Sequence, residues 1–332
     1  MNTLQNDIAF MSKLKLKNII TSDITCFNIL PNYGTGRLQI TKIIPGLFLV
    51  YNDFKVNNRV LSSDTPKTKK TYIKIDYCLS GYYKFELNNE LIGIVKKGNS
   101  IFYTGVNNFT EVQYSNEVYN SFCIMCYLDD LDSSLSNILG ITLDEVWQFY
   151  YNLDARKDYL IIDTNLQNLK ILNLLGQLQR NGLVNNLGLL KLRALELFLL
   201  EVCNYKSYHN APDRYYQKTT IKKMGLIKDF IEQNITEHYK IEDLAHRFCL
   251  SKTKLKECFK HVYGVGPYSY LKNCRMKLAK DLLENSEFNI LEIANRVGYT
   301  SPSKFGVAFK NTYEVNPLKY RKALSHNRKN SI

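Results

Sequence analysis

Two stretches of this chain follow one plan, and that repetition constrains the fold more than any other feature. The first is KIEDLAHRFCLSKTKLKECFKHVYG, residues 240–264; the second is NILEIANRVGYTSPSKFGVAFKNTYE, residues 289–314. Overlaid, Ile241, Leu244, Ala245 and Phe248 match Ile290, Ile293, Ala294 and Val297. After a short break, Leu255, Cys258, Phe259 and Val262 match Phe305, Ala308, Phe309 and Thr312. Every set recurs at i, i+3, i+4, i+7, the spacing that gathers side chains on one face of a helix. Each stretch therefore reads as a short helix, an abrupt turn and a second helix with one buried face. The alanine in each first helix permits the close, steep crossing of a helix-turn-helix. Ser251 and Ser301 stand where an N-cap is wanted, and Pro302 suits a first helical turn.

The opposite face of each second helix stays exposed. In the first unit, residues 241–262, it carries Thr253, Lys256, Glu257 and Lys260; in the second, residues 290–313, it carries Ser303, Lys304, Val307 and Asn311. Side chains on the N-terminal half of such a helix can reach base edges in the major groove. The expected base contacts are thus Thr253, Lys256, Glu257, Ser303, Lys304 and Val307. Lys252, Lys254, Lys260, Arg296 and Lys310 lie toward the flanks, where phosphates would be. Between the units, Tyr270, Leu271, Cys274, Leu278 and Leu282 form an apolar stripe on a helix long enough to hold two reading heads apart. Charge agrees. From Thr220 onward 21 lysines and arginines face 11 acidic residues, which is +10 of the chain's net +13. A basic domain of this kind meets a polyanion.

The first two thirds read differently. Over residues 46–130, Ile73, Ile75, Tyr77 and Leu79 alternate with Lys74, Asp76 and Cys78, and turn signals at Ser80-Gly81, Asn88-Asn89 and Lys97-Gly98-Asn99 punctuate short strands. That spacing predicts a small barrel or jelly roll. Leu166, Leu169, Leu172 and Leu175, then Leu189, Leu190, Leu192, Leu195, Leu199 and Val202, follow helical spacing. The second of these helices is apolar around much of its circumference, with Leu192, Leu195 and Leu199 offering a face for burial or for a second subunit. The domain plan is 1–204, a linker over 205–219, and a DNA-binding domain over 220–332. The N-terminus does not read as a secretory signal, and no run reaches the ~20 uncharged apolar residues of a membrane helix. The eight cysteines are scattered and read as reduced core residues of a cytoplasmic chain.

The segment from about 221 to 322 resembles the AraC/XylS transcriptional regulators. The resemblance rests on IEDLAHRF, LSKTKLKECFK, GVGPYSYLKNCRMKLAKDLL with Tyr270, Arg275 and Ala279, ILEIANRVGY, and KFGVAFKNTYEVNPLKYR with Pro317, Tyr320 and Arg321. It implies a homodimeric activator with promoter DNA and RNA polymerase as partners. This chain departs from the family at Glu314, where glycine is usual, at Val307, where arginine is common, and at Glu257, where another basic or polar residue is common; these departures leave the target sequence open. LVYNDF and IDYCLSGYYKFEL look similar to sensors of the pyochelin-regulator type. That implies an α+β chain, with an N-terminal cupin-like β-barrel and dimerisation helices ahead of the C-terminal all-α double helix-turn-helix. It also implies control of iron-siderophore uptake or transporter genes.

A cupin-like barrel can be a metalloenzyme. Here all five histidines, His209, His238, His246, His261 and His326, lie outside the strand region, so no imidazole set for a metal is expected there. One CxxC, Cys123 to Cys126, lies in a strand-like run that points its two ends to opposite faces. No phosphate loop or nucleophile motif is present. No enzyme activity, metal or cofactor is expected. The strands are rich in aromatic residues, and Tyr51, Tyr77, Tyr83, Phe85 and Tyr103 are the candidates for an apolar effector pocket with phenol hydroxyls. The alternatives are a regulator without a ligand, set by abundance or a partner protein, and a metalloenzyme with a basic tail.

Overall fold

The computed structural model describes residues 14–57, 60–61, 70–87, 90–104, 109–115, 117–131, 140–155, 159–180, 186–208 and 215–329. The chain divides into two compact units, Met1–Tyr215 and Tyr216–Ile332.

The first unit contains β1 (Leu14–Thr21), β2 (Ile24–Ile29), β3 (Gly34–Ile44), β4 (Leu47–Val56), β5 (Val60–Leu61), β6 (Tyr72–Ser80), β7 (Tyr82–Leu87), β8 (Leu91–Lys96), β9 (Asn99–Thr104), β10 (Phe109–Tyr114), β11 (Tyr119–Tyr127) and β12 (Leu160–Asp163). Its helices are α1 (Leu143–Asp154), α2 (Leu166–Arg180) and α3 (Leu187–Asn204). One sheet runs β1-β2-β3-β4-β11-β6-β9-β12; in another, β8, β7, β10 and β5 are neighbours. Every one of these pairings is antiparallel. The expected cupin-like β-barrel is not closed: among the described residues the strands form two open sheets, with β1 and β12 ending the larger one.

The two sheets share a core that takes Phe48 and Val50 from β4, Tyr72 and Cys78 from β6, Tyr83 and Phe85 from β7, and Tyr114 from β10. The other face of the large sheet, with Ile73, Ile75, Tyr77, Phe122 and Ile124, is covered by Val146 and Phe149 of α1, Leu172 and Leu175 of α2, and Leu190, Leu197 and Phe198 of α3. Both faces of β6 are therefore inside, which strict alternation alone would not reveal. Cys123 and Cys126 of β11 fall in these two separate cores. Gly93 is required by close approach, since a Cβ there would lie 2.1 Å from the Phe85 ring. α2 and α3, expected as dimerisation helices, spend their main apolar faces on the sheet. Leu195 and Leu199 are half-buried against it, while Leu189 and Leu192 stay exposed.

The second unit is helical: α4 (Lys218–Gln233), α5 (Ile241–Arg247), α6 (Lys252–Tyr263), α7 (Pro267–Asn285), α8 (Ile290–Arg296), α9 (Pro302–Tyr313) and α10 (Pro317–Lys329). Two clusters form its core. Met224, Ile227 and Ile231 of α4 pack with Leu244, Ala245, Leu255, Phe259 and Leu271. Met276, Ala279 and Leu283 of α7 pack with Ile293, Ala294, Phe305, Ala308 and Phe309. Helix α7 thus closes the first module and opens the second. Thr312, matched with Val262 in the repeat, is exposed instead, and its hydroxyl donates to the Ala308 carbonyl at 2.9 Å.

Candidate nucleic-acid interface

Each second helix starts where the sequence places its cap. The Ser251 hydroxyl accepts from the Lys254 amide at 3.2 Å, and Ser301 accepts from the Lys304 amide at 3.4 Å. The turns before them use left-handed backbone at Cys249 (φ 52) and Gly298 (φ 80). The helices end at a second pair of left-handed residues, Gly264 (φ 80) and Glu314 (φ 62), whose amides donate to Lys260 and Lys310 carbonyls at 2.8 Å. Such a C-terminal turn favours glycine, so Glu314 carries backbone strain.

Ties between helices hold the two modules in matching ways. The Tyr270 hydroxyl donates to Glu232 at 2.6 Å, and Tyr320 donates to Glu284. The carboxyl of Glu232 is held below its ordinary range, chiefly by the Tyr270 hydrogen bond and then by Lys228. Arg275, 7% exposed, donates to the Ile235 and Glu237 carbonyls at 2.8 and 2.9 Å; Arg321 donates to the Phe288 carbonyl at 2.6 Å. In the sequence Arg275, Tyr320 and Arg321 stand only as marks of resemblance, and Tyr270 also as part of the apolar stripe of the connecting helix. The signal for their structural work was the repeated Pro-x-x-Tyr at 267–270 and 317–320.

All eleven expected DNA-contacting residues are exposed: Lys252, Thr253, Lys254, Lys256, Glu257 and Lys260 in the first unit, Arg296, Ser303, Lys304, Val307 and Lys310 in the second. They are not all free. Lys252 pairs with Glu242 of α5 at 2.9 Å, and that hydrogen bond lowers the Glu242 pKa. The Arg296 guanidinium lies over the Phe288 ring, 3.8 Å from its centroid. The two faces differ in chemistry. The first is charged; the second centres on Val307, 62% exposed, a side chain suited to an apolar base edge such as a thymine methyl.

The five expected effector residues separate. Tyr83, Phe85 and Tyr103 lie together between the two sheets. Tyr77 is on the helix-covered face, where its hydroxyl donates to Glu201 of α3 at 2.7 Å. Burial, reinforced by that carboxylate, pushes its pKa well up. Tyr51 packs on Phe122 at 5.0 Å, on that same face, and its hydroxyl accepts from Asn120 at 2.7 Å. Residues 51 and 77 fall on the odd-numbered face of β4 and β6, which the helices cover. Glu201, which in the sequence stands only as a charge interrupting the apolar run of α3, is 1% exposed and also accepts from Asn168 at 2.6 Å and Tyr208 at 2.6 Å.

Residues 244–323 match the family described as a helix-turn-helix domain. Among curated proteins the chain is similar to the HTH-type transcriptional regulator AlkR of Acinetobacter baylyi, 41% identical over 24% of this chain and 26% of that one. It is also similar to the probable transcriptional regulator LumQ of Photobacterium leiognathi, 28% identical over 54% of this chain and 67% of that one. The chain thus spans about a quarter of the first relative and two thirds of the second. Among solved structures, the DNA-binding domain of the global transcriptional factor AdpA in complex with a target DNA is 26% identical, covering 32% of this chain and 96% of that one, with a TM-score of 0.31. No described helix is long and apolar enough to cross a membrane.

Proposed function

We propose that this chain, whose C-terminal domain is an AraC/XylS-type double helix-turn-helix that binds DNA, is a sequence-specific transcription regulator. The observation that carries the reading is the tandem arrangement. Two helices, each capped by a serine and seated on an equivalent aromatic core, present exposed faces from one basic domain. Thr253, Lys256, Glu257, Ser303, Lys304 and Val307 read bases, and Lys252, Lys254, Lys260, Arg296 and Lys310 hold the backbone. The first unit senses a small molecule and forms a homodimer through α3, where Leu189 and Leu192 are 53% and 62% exposed. The protein acts in the cytoplasm as an activator with RNA polymerase, on iron-siderophore uptake or transporter genes.

The test is DNA selected from a genomic pool by the purified full chain, followed by binding to that site and its variants at several salt concentrations. Lys256→Ala is expected to relax preference at one or two base pairs, each worth about 1–3 kcal/mol. Lys252→Ala is expected to weaken all sequences alike and to lower the salt slope by about one phosphate contact. Failure of the full chain to enrich any sequence would overturn the reading.

A further inference from the structure

The face of β6 that carries Lys74 and Asp76 turns inward, into the layer between the two sheets. Its neighbours on that face, Tyr72 and Cys78, belong to the inter-sheet core. Asp76 is 6% exposed. Its Oδ2 accepts from the Tyr119 hydroxyl at 2.5 Å, while its Oδ1 has no hydrogen-bond partner among the described residues. Lys74 stands opposite Tyr103 in the ladder, with its Nζ 5.1 Å from that ring's centroid. It makes no ion pair or hydrogen bond with a described residue, and it keeps partial contact with solvent. From the facing sheet come Tyr83 and Tyr114, whose rings lie 5.5 and 5.1 Å from that of Tyr119.

A layer that served only as packing would be apolar there, or would pair the ammonium with the carboxylate. This one sets a cation and a carboxylate two residues apart on one strand, about 7 Å along it, where they attract each other without forming a salt bridge; the Ser121 and Tyr83 hydroxyls lie near the carboxylate, yet its Oδ1 stays unbonded among the described residues. Burial keeps the phenols of Tyr83, Tyr103 and Tyr114 protonated, and their rings supply flat apolar walls.

We propose that the layer between the sheets at Lys74 and Asp76 receives the effector, and that the effector is a small carboxylate that also carries a hydroxyl or amino hydrogen. Its carboxylate meets the Lys74 ammonium, its donor meets Asp76 Oδ1, and its body lies among Tyr83, Tyr103 and Tyr114. This rests on the reading of the first unit as a small-molecule sensor.

The test uses the full chain in thermal shift and titration calorimetry. The probes are 4-hydroxyphenylacetate, salicylate and 4-aminobenzoate, each beside its neutral amide, with uncharged sugars as a separate arm. At least one acid is expected to raise the melting temperature and to bind at least about tenfold tighter than its amide. Lys74→Met is expected to remove that preference, and Lys70→Met, at an exposed ion pair with Asp130, to keep it. Equal binding of acid and amide, or acid binding unchanged in Lys74→Met, overturns the proposal. Should Lys74→Met fail to fold, acid against amide on the unsubstituted protein decides, with Asp76→Asn as the second variant. Binding of sugars or amides alone overturns the anion assignment and leaves the sensor reading standing. No binding in any arm overturns both.

Discussion

In the first unit, Asp76 and Glu201 lie inside at 6% and 1% exposure, each hydrogen-bonded to tyrosine hydroxyls. The second unit keeps the lysines of both recognition helices at the surface, while Arg275, buried in α7, donates to two loop carbonyls. The contrast separates two uses of charge. Interior charge in the second unit staples a scaffold, and its outward charge meets a partner. Interior charge in the first unit is costly for packing, and it is on the one buried carboxylate oxygen left unbonded there among the described residues, Asp76 Oδ1, that the proposed effector site is drawn.

The largest expected effect tests whether the second unit's interior is scaffold alone. Phe309 is fully buried, and Phe309→Ala is expected to cost about 3–5 kcal/mol in urea denaturation of the full chain. DNA affinity should fall with it, because α9 loses its seat. Lys256→Ala, on the exposed face, should leave stability within about 0.5 kcal/mol. A stability loss for Lys256→Ala as large as that for Phe309→Ala would break the division.

Acid–base behaviour should also divide the units. Burial raises the Glu201 pKa above its ordinary value, against the opposing hydrogen bonds from Tyr208, Tyr77 and Asn168. The folded state then holds the proton more tightly than the unfolded chain. Stability from this group is greatest below the ordinary glutamate pKa and falls as pH rises through the folded value. Asp76, raised chiefly by burial, has the same sign. Glu232 has the opposite sign, since its lowered pKa adds stability above the ordinary value that is lost as pH falls. Glu201→Gln should flatten the fall in melting temperature of the first unit between pH 4.5 and 8, and Glu232→Gln should not. An unchanged slope in Glu201→Gln would show that the carboxyl is not the titrating group.

Much of the second unit was legible in the sequence, because a helix-turn-helix buries residues through a local period and announces its caps locally. The first unit was less so. The strands from Leu14 to Ile44 went unread, since LKLKNIIT and GTGRLQITKII mix lysine, asparagine and glycine into the alternation. Helix α1 went unread although its capping box, Thr142 with Glu145, is written in the chain. Tyr77 was grouped with Tyr83 because periodicity gives faces but not what covers them; that depends on a second sheet and three helices distant in sequence. For the same reason the alternation shows Lys74 and Asp76 sharing a face of β6 but not that this face turns into the layer between the sheets.

A smaller effect probes the strained end of α9. Glu314 and Gly264 occupy equivalent left-handed positions (φ 62 and 80). Glu314→Gly should stabilise by about 1 kcal/mol, and Gly264→Ala should destabilise by about as much. Chemical denaturation of both variants checks the signs. A loss for Glu314→Gly would mean that its side chain contributes more than its backbone costs.

The smallest expected effect sharpens the outward half of the comparison. Glu242 holds Lys252 at 2.9 Å across the surface, so this lysine must exchange a carboxylate for a phosphate to hold DNA. Glu242→Gln removes the competitor. The N-terminal capping of α5 survives, because the Lys240 amide donates to Asp243 at 3.1 Å. Affinity should rise about two- to threefold on every DNA sequence at low salt, the scale of one exposed ion pair. The gain should fade as salt screens it. Equal affinities at low salt would show that Lys252 does not reach a phosphate. A gain confined to certain base sequences would move Lys252 from the backbone-holding group to the base-reading one.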